Sequence, residues 1–208
     1  LGTPQGAGFS FMPTPVATAG EIHTFGEVAA GPDGVTQVLY IRSVLVAGSY
    51  VGQLFYAKRS GAGFAAQQLS VTGENVQSPA IALAVDAQNA PHVLYYEYAS
   101  NQLRSTQLQG TTWTTTVVGT GFGPAFGAYE PELQLTAQGE PRFAWHDSGR
   151  LSYAWLESGV VRSIPLAPQC RLAAFDMKLG ADGLPRFTCG ALRNGLDEIS
   201  FVEPRMRW

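Results

Sequence analysis

Apolar and polar residues alternate in short bursts along this chain, and the bursts recur. Four segments align: EVAAGPDGVTQVLYI (27–41), ALAVDAQNAPHVLYY (82–96), ELQLTAQGEPRFAWH (132–146) and DMKLGADGLPRFTCG (176–190). Each is an alternating run, a turn at Gly34, Asn89, Gly139 or Gly183, and a second run. Pro91, Pro141 and Pro185 stand two positions after the turn residue, with Thr36 in the first unit. A further run follows each segment: GQLFYAK (52–58), NQLRSTQ (101–107), GRLSYAW (149–155) and DEISFVE (197–203). Its anchors Leu54, Leu103, Leu151 and Ile199 recur at a near-constant interval. About ten positions on lie Phe64, Trp113, Val161 and Trp208. Strict alternation specifies strands, so each unit reads as four strands joined by turns. The repeats span about 21–72, 73–119, 120–167 and 168–208.

A single four-stranded sheet leaves two faces bare, and stacking sheets radially buries them. The expected fold is therefore all-β, a β-propeller with four blades of four antiparallel strands in one domain covering residues 1–208. Val38, Val93, Phe143 and Phe187, with Tyr40, Tyr95, Trp145 and Cys189 two residues on, share one face of the second strand and predict the core between blades. The last unit stops where its fourth strand should begin. The orphan run FSFMPTPVAT (9–18) is expected to complete it, sparing an open edge. The alternative is a fragment of a larger propeller, with further blades on the same or another chain.

Composition agrees. Charged residues are 14% of the 208, while Gly (24) and Pro (13) suit many tight turns. A net charge of −3 and only two lysines, Lys58 and Lys178, give no footprint for nucleic acid. No apolar stretch is long enough to cross a bilayer as a helix, so no membrane span is expected. No signal-peptide pattern opens the chain, which begins at Leu1 as a processed or excised piece would.

The second repeat, residues 78–118, resembles a propeller repeat of secreted and surface-exposed bacterial proteins. Its marks here are a strand ending in Asp86, the Asn89 turn, Pro91-His92, the paired Tyr95-Tyr96, a strand led by Leu103, and GTTW (110–113). The other three units match in part. The resemblance implies the fold and a secreted, periplasmic or cell-surface location, and it implies no single activity.

Candidate chemistry is sparse. The loops between second and third strands, 42–51, 97–101, 147–149 and 191–197, should gather on one face. That face would carry Arg42, Glu97, Tyr98, His146, Asp147, Arg150 and Arg193, a set suited to a glycan or protein partner or to plain solvation. The first loop, SVLVAGSYV (43–51), is apolar, and reads either as a partner contact or as an extended hairpin. Glu27, Glu132 and Asp176 share one position on the inner strand. They either hold a structural calcium near the axis or solvate the channel mouth, with Lys178 as a partner. GTGFGPAFG (119–127) is a blade crossing whose Phe122 and Phe126 are candidates to cover something. His92 reads as a surface residue.

No zinc spacing, no G-x-S-x-G and no complete sialidase Asp-box appears, so no catalytic residue is assigned. A hydrolase or lyase remains the second reading, with acids from Glu97, Asp147 or Glu130. A third is a structural domain of a larger surface protein. Cys170 and Cys189 are either bonded, worth about 3 kcal/mol in the chain-entropy model, or two buried thiols.

Overall fold

The computed structural model describes residues 2–5, 8–11, 14–17, 22–71, 73–122, 131–147, 150–166, 175–193 and 196–203. Among them every regular element is a strand. A small hairpin, β1 (Gly2–Gln5) and β2 (Gly8–Phe11), comes first. Four antiparallel sheets follow in chain order. The first holds β3 (Ile22–Ala30), β4 (Thr36–Val46), β5 (Ser49–Ser60) and β6 (Gly63–Gln68). The second holds β7 (Val76–Val85), β8 (Pro91–Glu97), β9 (Gln102–Gln109) and β10 (Thr112–Thr120). The third holds β11 (Glu132–Leu135), β12 (Pro141–Asp147), β13 (Arg150–Glu157) and β14 (Val160–Pro165). The fourth has three strands among the described residues: β15 (Phe175–Leu179), β16 (Pro185–Arg193) and β17 (Leu196–Val202).

The repeat is legible in single hydrogen bonds. At the turn between first and second strands, the N–H of Gly31, Asp86, Thr136 and Gly180 donates to the carbonyl of Val35, Ala90, Glu140 and Leu184, at 2.9–3.2 Å. Three residues into each turn, Gly34, Asn89, Gly139 and Gly183 have φ of 73°, 63°, 80° and 73°, a region where glycine and asparagine are least penalised. In the second unit the Asp86 carboxylate closes this turn. Its Oδ1 accepts from the N–H of Gln88 (2.9 Å) and Ala90 (2.8 Å), while Oδ2 lies 3.2 Å from His92 Nε2. His92 is thus buried beside its own turn, not a surface residue. Thr136 does the same work with its hydroxyl, accepting from Gln138 and Glu140.

Period 2 also sets the packing. Val93 and Tyr95 of β8 face the first sheet, meeting Leu39, Ile41, Leu54 and Tyr56. Leu94, Tyr96 and Leu103 face the third sheet, meeting Leu133, Phe143 and Trp145. From the other side of that sheet Ala144, Leu151 and Tyr153 meet Met177, Phe187 and Cys189. Each sheet therefore lays one face, here termed even, on the opposite or odd face of the next, and β3, β7, β11 and β15 lie side by side in succession. In the first sheet Tyr40 is buried but Val38 is only half-buried, on a face bordered by Val16 and Ala17.

Asn89 also ties two sheets together at the turn end. Its side-chain oxygen accepts from Asp33 N–H (3.1 Å), and its carbonyl accepts from Gln37 Nε2 (3.3 Å). The fully buried Gln37 in turn accepts from the Tyr56 hydroxyl (2.7 Å), whose pKa burial, with Asp33 adding, pushes up to about 12. Asn89→Gly keeps the backbone angle and loses only the side-chain bond to Asp33, so about 1 kcal/mol of stability should go. Asn89→Ala loses that bond and also strains the turn, so about 2 kcal/mol should go. Equilibrium urea unfolding of both variants reads the difference, and equal losses would rule out the backbone contribution.

The N-terminal run differs from expectation. Phe9–Phe11 belong to β2 and pair with β1, and residues 14–17 carry no strand. Val16 and Ala17 instead line a groove on the outer face of the first sheet. Two positions separate β1 from β2, so their pairing costs far less loop entropy than pairing with a strand at the far end of the chain. Cys189 is disulfide-bonded; Cys170, the other cysteine of the sequence, lies outside the described residues. No helix among the described residues is long and apolar enough to cross a membrane.

Candidate functional site

The end of the molecule that carries the turns between second and third strands is built around two asparagine clamps. Asn75, just before β7, joins the first two sheets. Its Oδ1 accepts from Gly52 N–H of β5 (2.8 Å), its carbonyl from Tyr98 N–H (2.8 Å), and its own N–H donates to Glu97 Oε1 (3.1 Å). Asn101, with φ of 53°, joins the turn after β8 to the crossing that leaves β10. Its Oδ1 accepts from Phe122 N–H and the Tyr96 hydroxyl, and its Nδ2 donates to the Phe122 carbonyl (3.1 Å). Phe122 then stands edge-on between Tyr96 and Trp145, ring centroids 6.0 and 6.1 Å away, so the crossing does cover something: the seam between the second and third sheets. Phe126 lies outside the described residues.

Beneath the first clamp sits a charged cluster. Glu97 is 2% exposed and accepts from the N–H of Asn75, Ala99 (2.9 Å) and Ser100 (2.7 Å) and from the Ser100 hydroxyl. Burial alone would raise its pKa, but the bonds from Ser100, Asn75 and Ala99 outweigh it and hold the carboxyl below its ordinary value. Arg104 pairs with Glu74 and donates to the Ser100 hydroxyl (3.1 Å) and to Gln102 (2.9 Å). Tyr95 lies beside them, its pKa raised by burial and by Glu74 against the pull of Arg104.

Above the clamp the surface is apolar. β4 and β5 run on to a turn at Ala47 and Gly48, both with positive φ, so residues 43–51 form an extended hairpin rather than a loop. Leu45, Val46 and Tyr50 at its tip are exposed, as are Val71 of the crossing and Tyr98. Leu45 pairs with Tyr50 across the hairpin. Gly52, two residues from Tyr50, and the backbone of Tyr98 are held by the same Asn75. Two tyrosines, each over half exposed, thus flank one rigid junction.

The residues expected to converge do not all do so. Tyr98 and Arg150 are exposed at the turn end. Arg42 lies within β4, stacked 4.5 Å from the Phe55 ring and bonded to Gln53 (2.6 Å), because β4 continues four residues beyond it. The carboxylate of Glu97 is taken up by donors from its own turn and by the Asn75 N–H. His146 is buried in the face turned toward the fourth sheet. The side chains of Asp147 and Arg193 lie outside the described residues, as does Glu130. The expected loop 191–197 is mostly strand, ending β16 and opening β17. Glu74, Asn75, Val71 and Arg104 were missed, since nothing in the repeat pattern marks a crossing or a third strand as special.

The three inner-strand carboxylates hold equivalent register positions, opposite Leu39, Ala144 and Thr188. Glu27 and Glu132 line one cavity of about 170 Å³ between β3, β7 and β11. Asp176 is not among its lining residues; it is exposed and paired with Lys178 at 3.0 Å. The three-carboxylate calcium site is therefore not assembled. No group of three or more His, Cys, Asp or Glu among the described residues is arranged to hold a metal ion.

No protein-family model matches the chain, and no curated protein matches it. Solved structures do. A protein of unknown function from Dyadobacter fermentans DSM 18053 is 11% identical, with a TM-score of 0.62 over 96% of this chain and 62% of its own. This chain thus spans less than two thirds of that relative's length. The endo-arabinase from Bacteroides thetaiotaomicron VPI-5482 is 12% identical, with a TM-score of 0.52 over 97% of this chain and 81% of its own. At such identities the likeness is one of fold alone.

Proposed function

We propose that the four stacked sheets are blades of a β-propeller and that the chain is a binding module, recognising a glycan or a protein partner at the junction of its first two blades. The propeller reading rests on the repeated turn, the succession of inner strands, and the likeness to the endo-arabinase, itself a β-propeller. The binding reading rests on one observation. Tyr50 and Tyr98 stand exposed on either side of a clamp held by internal hydrogen bonds. Exposed aromatics on a rigid base are low-entropy anchors for sugar faces and for partner side chains. A secreted, periplasmic or cell-surface setting follows from the repeat resemblance and suits both partners.

The enzyme alternative is less well supported. A general acid needs a raised pKa, and Glu97 has the opposite, with both oxygens accepting bonds inside its own turn.

Glycan-array screening, with an affinity capture of proteins in parallel, tests the reading. Tyr50→Ala and Tyr98→Ala should each weaken whichever binding is found by about tenfold or more while leaving the melting temperature unchanged. Retention of full binding in both variants would sink the proposal, and loss on Arg150→Ala alone would move the site to the third blade.

A further inference from the structure

The face by which the first sheet packs on the second runs on beyond the end of the second. Residues two apart along a strand share a face, so its rows are Leu39–Tyr56, Ile41–Leu54, Ser43–Gly52 and Leu45–Tyr50. The first two rows are buried and meet Val93 and Tyr95. Gly52 marks the last level of the second sheet. Its N–H donates to Asn75 Oδ1 (2.8 Å), and an added Cβ would meet the carbonyl oxygen of Val76, which pairs with Glu97 at the end of β8. Leu45 and Tyr50 stand one row further, about 7 Å past that level. They lie on the packing face, yet both are exposed, Leu45 at 65%.

Neither flanking strand goes with them. β3 first pairs at Ser43 and β6 last pairs at Phe55, so among the described residues 44–51 pair only with each other. This hairpin overhangs the top of the second sheet. Its floor is Asn75, the exposed Tyr98, and the exposed Val71, which follows Ser70 beside Leu54. The polar groups of the floor are engaged. Asn75 uses its N–H, its carbonyl and Oδ1. Glu97 uses both carboxylate oxygens, the Ser100 hydroxyl is bonded to Glu97 and Arg104, and Arg104 pairs with Glu74. The surface left to solvent is Leu45, Tyr50, Val71 and Tyr98.

We propose that this overhang seats an apolar segment of a partner protein. The inference rests on the reading of the tyrosine pair as a binding site and narrows its ligand. A polar ligand is oriented by a few available polar groups, and those of the floor are spent on the clamp. An apolar segment asks only for burial. Leu45 and Tyr50 offer it a wall that continues the packing already made between the first two sheets, and Val71 and Tyr98 offer it a base. A lipid surface fits less well. Segments 43–52, 70–75 and 97–101 contain no lysine or arginine to meet anionic headgroups, and an overhang with a floor receives side chains rather than a flat bilayer.

A phage-displayed library of random linear peptides, panned on the full 208-residue chain, tests it. A glycan array and phospholipid vesicles, neutral and anionic, are the other arms. The expected result is enrichment of peptides rich in leucine, valine and aromatic residues. Leu45→Thr, which keeps a strand former, and Val71→Asp should each bind them about tenfold more weakly. Both residues are exposed, so both variants should melt with the parent. A fall in melting temperature would mean that the chain itself covers the wall, and would overturn the proposal. So would the absence of enriched peptides, or peptides that bind parent and variants equally. A glycan whose binding needs Tyr98 but not Leu45 would keep the binding reading and end this one, whereas no glycan and no peptide would end both. Vesicles that bind the parent but not Leu45→Thr would assign the overhang to a lipid surface instead.

Discussion

Replacing Glu97 with alanine is expected to lower the stability of the chain by about 3–5 kcal/mol, the range for breaking a buried, hydrogen-bonded charge. The carboxylate has three backbone N–H groups and the Ser100 hydroxyl around it. Without it, donors from Asn75, Ala99 and Ser100 are left unmet in a buried site, and Arg104 loses one of its two acidic neighbours. Glu97→Gln should cost less, because one side-chain oxygen remains to accept, but its amide would face donors. The pH dependence follows from the sign of the shift. The folded pKa lies below the ordinary 4.5, so the contribution is fully present above the unfolded value and is lost as the pH falls through the folded value. Urea midpoints between pH 3 and pH 6 should therefore converge for the parent and Glu97→Ala as the pH drops. Parallel curves would show that the carboxylate's ionisation is not what the turn depends on.

Gly52→Ala should be nearly as damaging, at about 2–3 kcal/mol. A Cβ at this position would stand 2.0 Å from the Val76 carbonyl oxygen and 3.1 Å from Ile41 Cγ2. The first obstacle is backbone of the next sheet, not the end of a flexible side chain, so relief requires the two sheets to part. Parting them stretches the Gly52–Asn75 bond and loosens the packing of Val76 against Leu39 and Leu54. For a chain of this size the loss corresponds to a fall of about 4–12 °C in melting temperature. Gly63→Ala, on the same sheet with nothing within 4 Å of an added Cβ, is the control and should be near neutral. A Gly52→Ala variant that melts with the parent would mean that the first two sheets are not held at this distance.

The scaffold was readable because it repeats. Anchors at Leu54, Leu103, Leu151 and Ile199 fall on equivalent register positions, since a near-constant interval combined with period 2 fixes both strand and face. The turn residues were readable for a local reason, as positive φ selects glycine or asparagine. The N-terminal run is the exception: an empty edge at the far end of the chain points to pairing there, whereas loop entropy favours the local hairpin that Phe9–Phe11 form with β1. The site was less legible for a related reason. Arg42 and Glu97 sit near chain reversals in the sequence, but whether such a side chain turns outward depends on hairpin length and on donors from a neighbouring sheet. Asn75 supplies one of those donors from the crossing between units, and no pattern within one repeat points to it.

Each sheet is covered by the next through the same repeat positions, so among the described residues the second and third sheets are shielded on both faces and the fourth on one. Hydrogen exchange read by mass spectrometry tests this strand by strand. The slowest amides should lie in β8, all of whose residues are buried, and among the third strands β17 should exchange faster than β5, β9 and β13. Slowest exchange in β16 and β17, or equal rates in all four third strands, would contradict it.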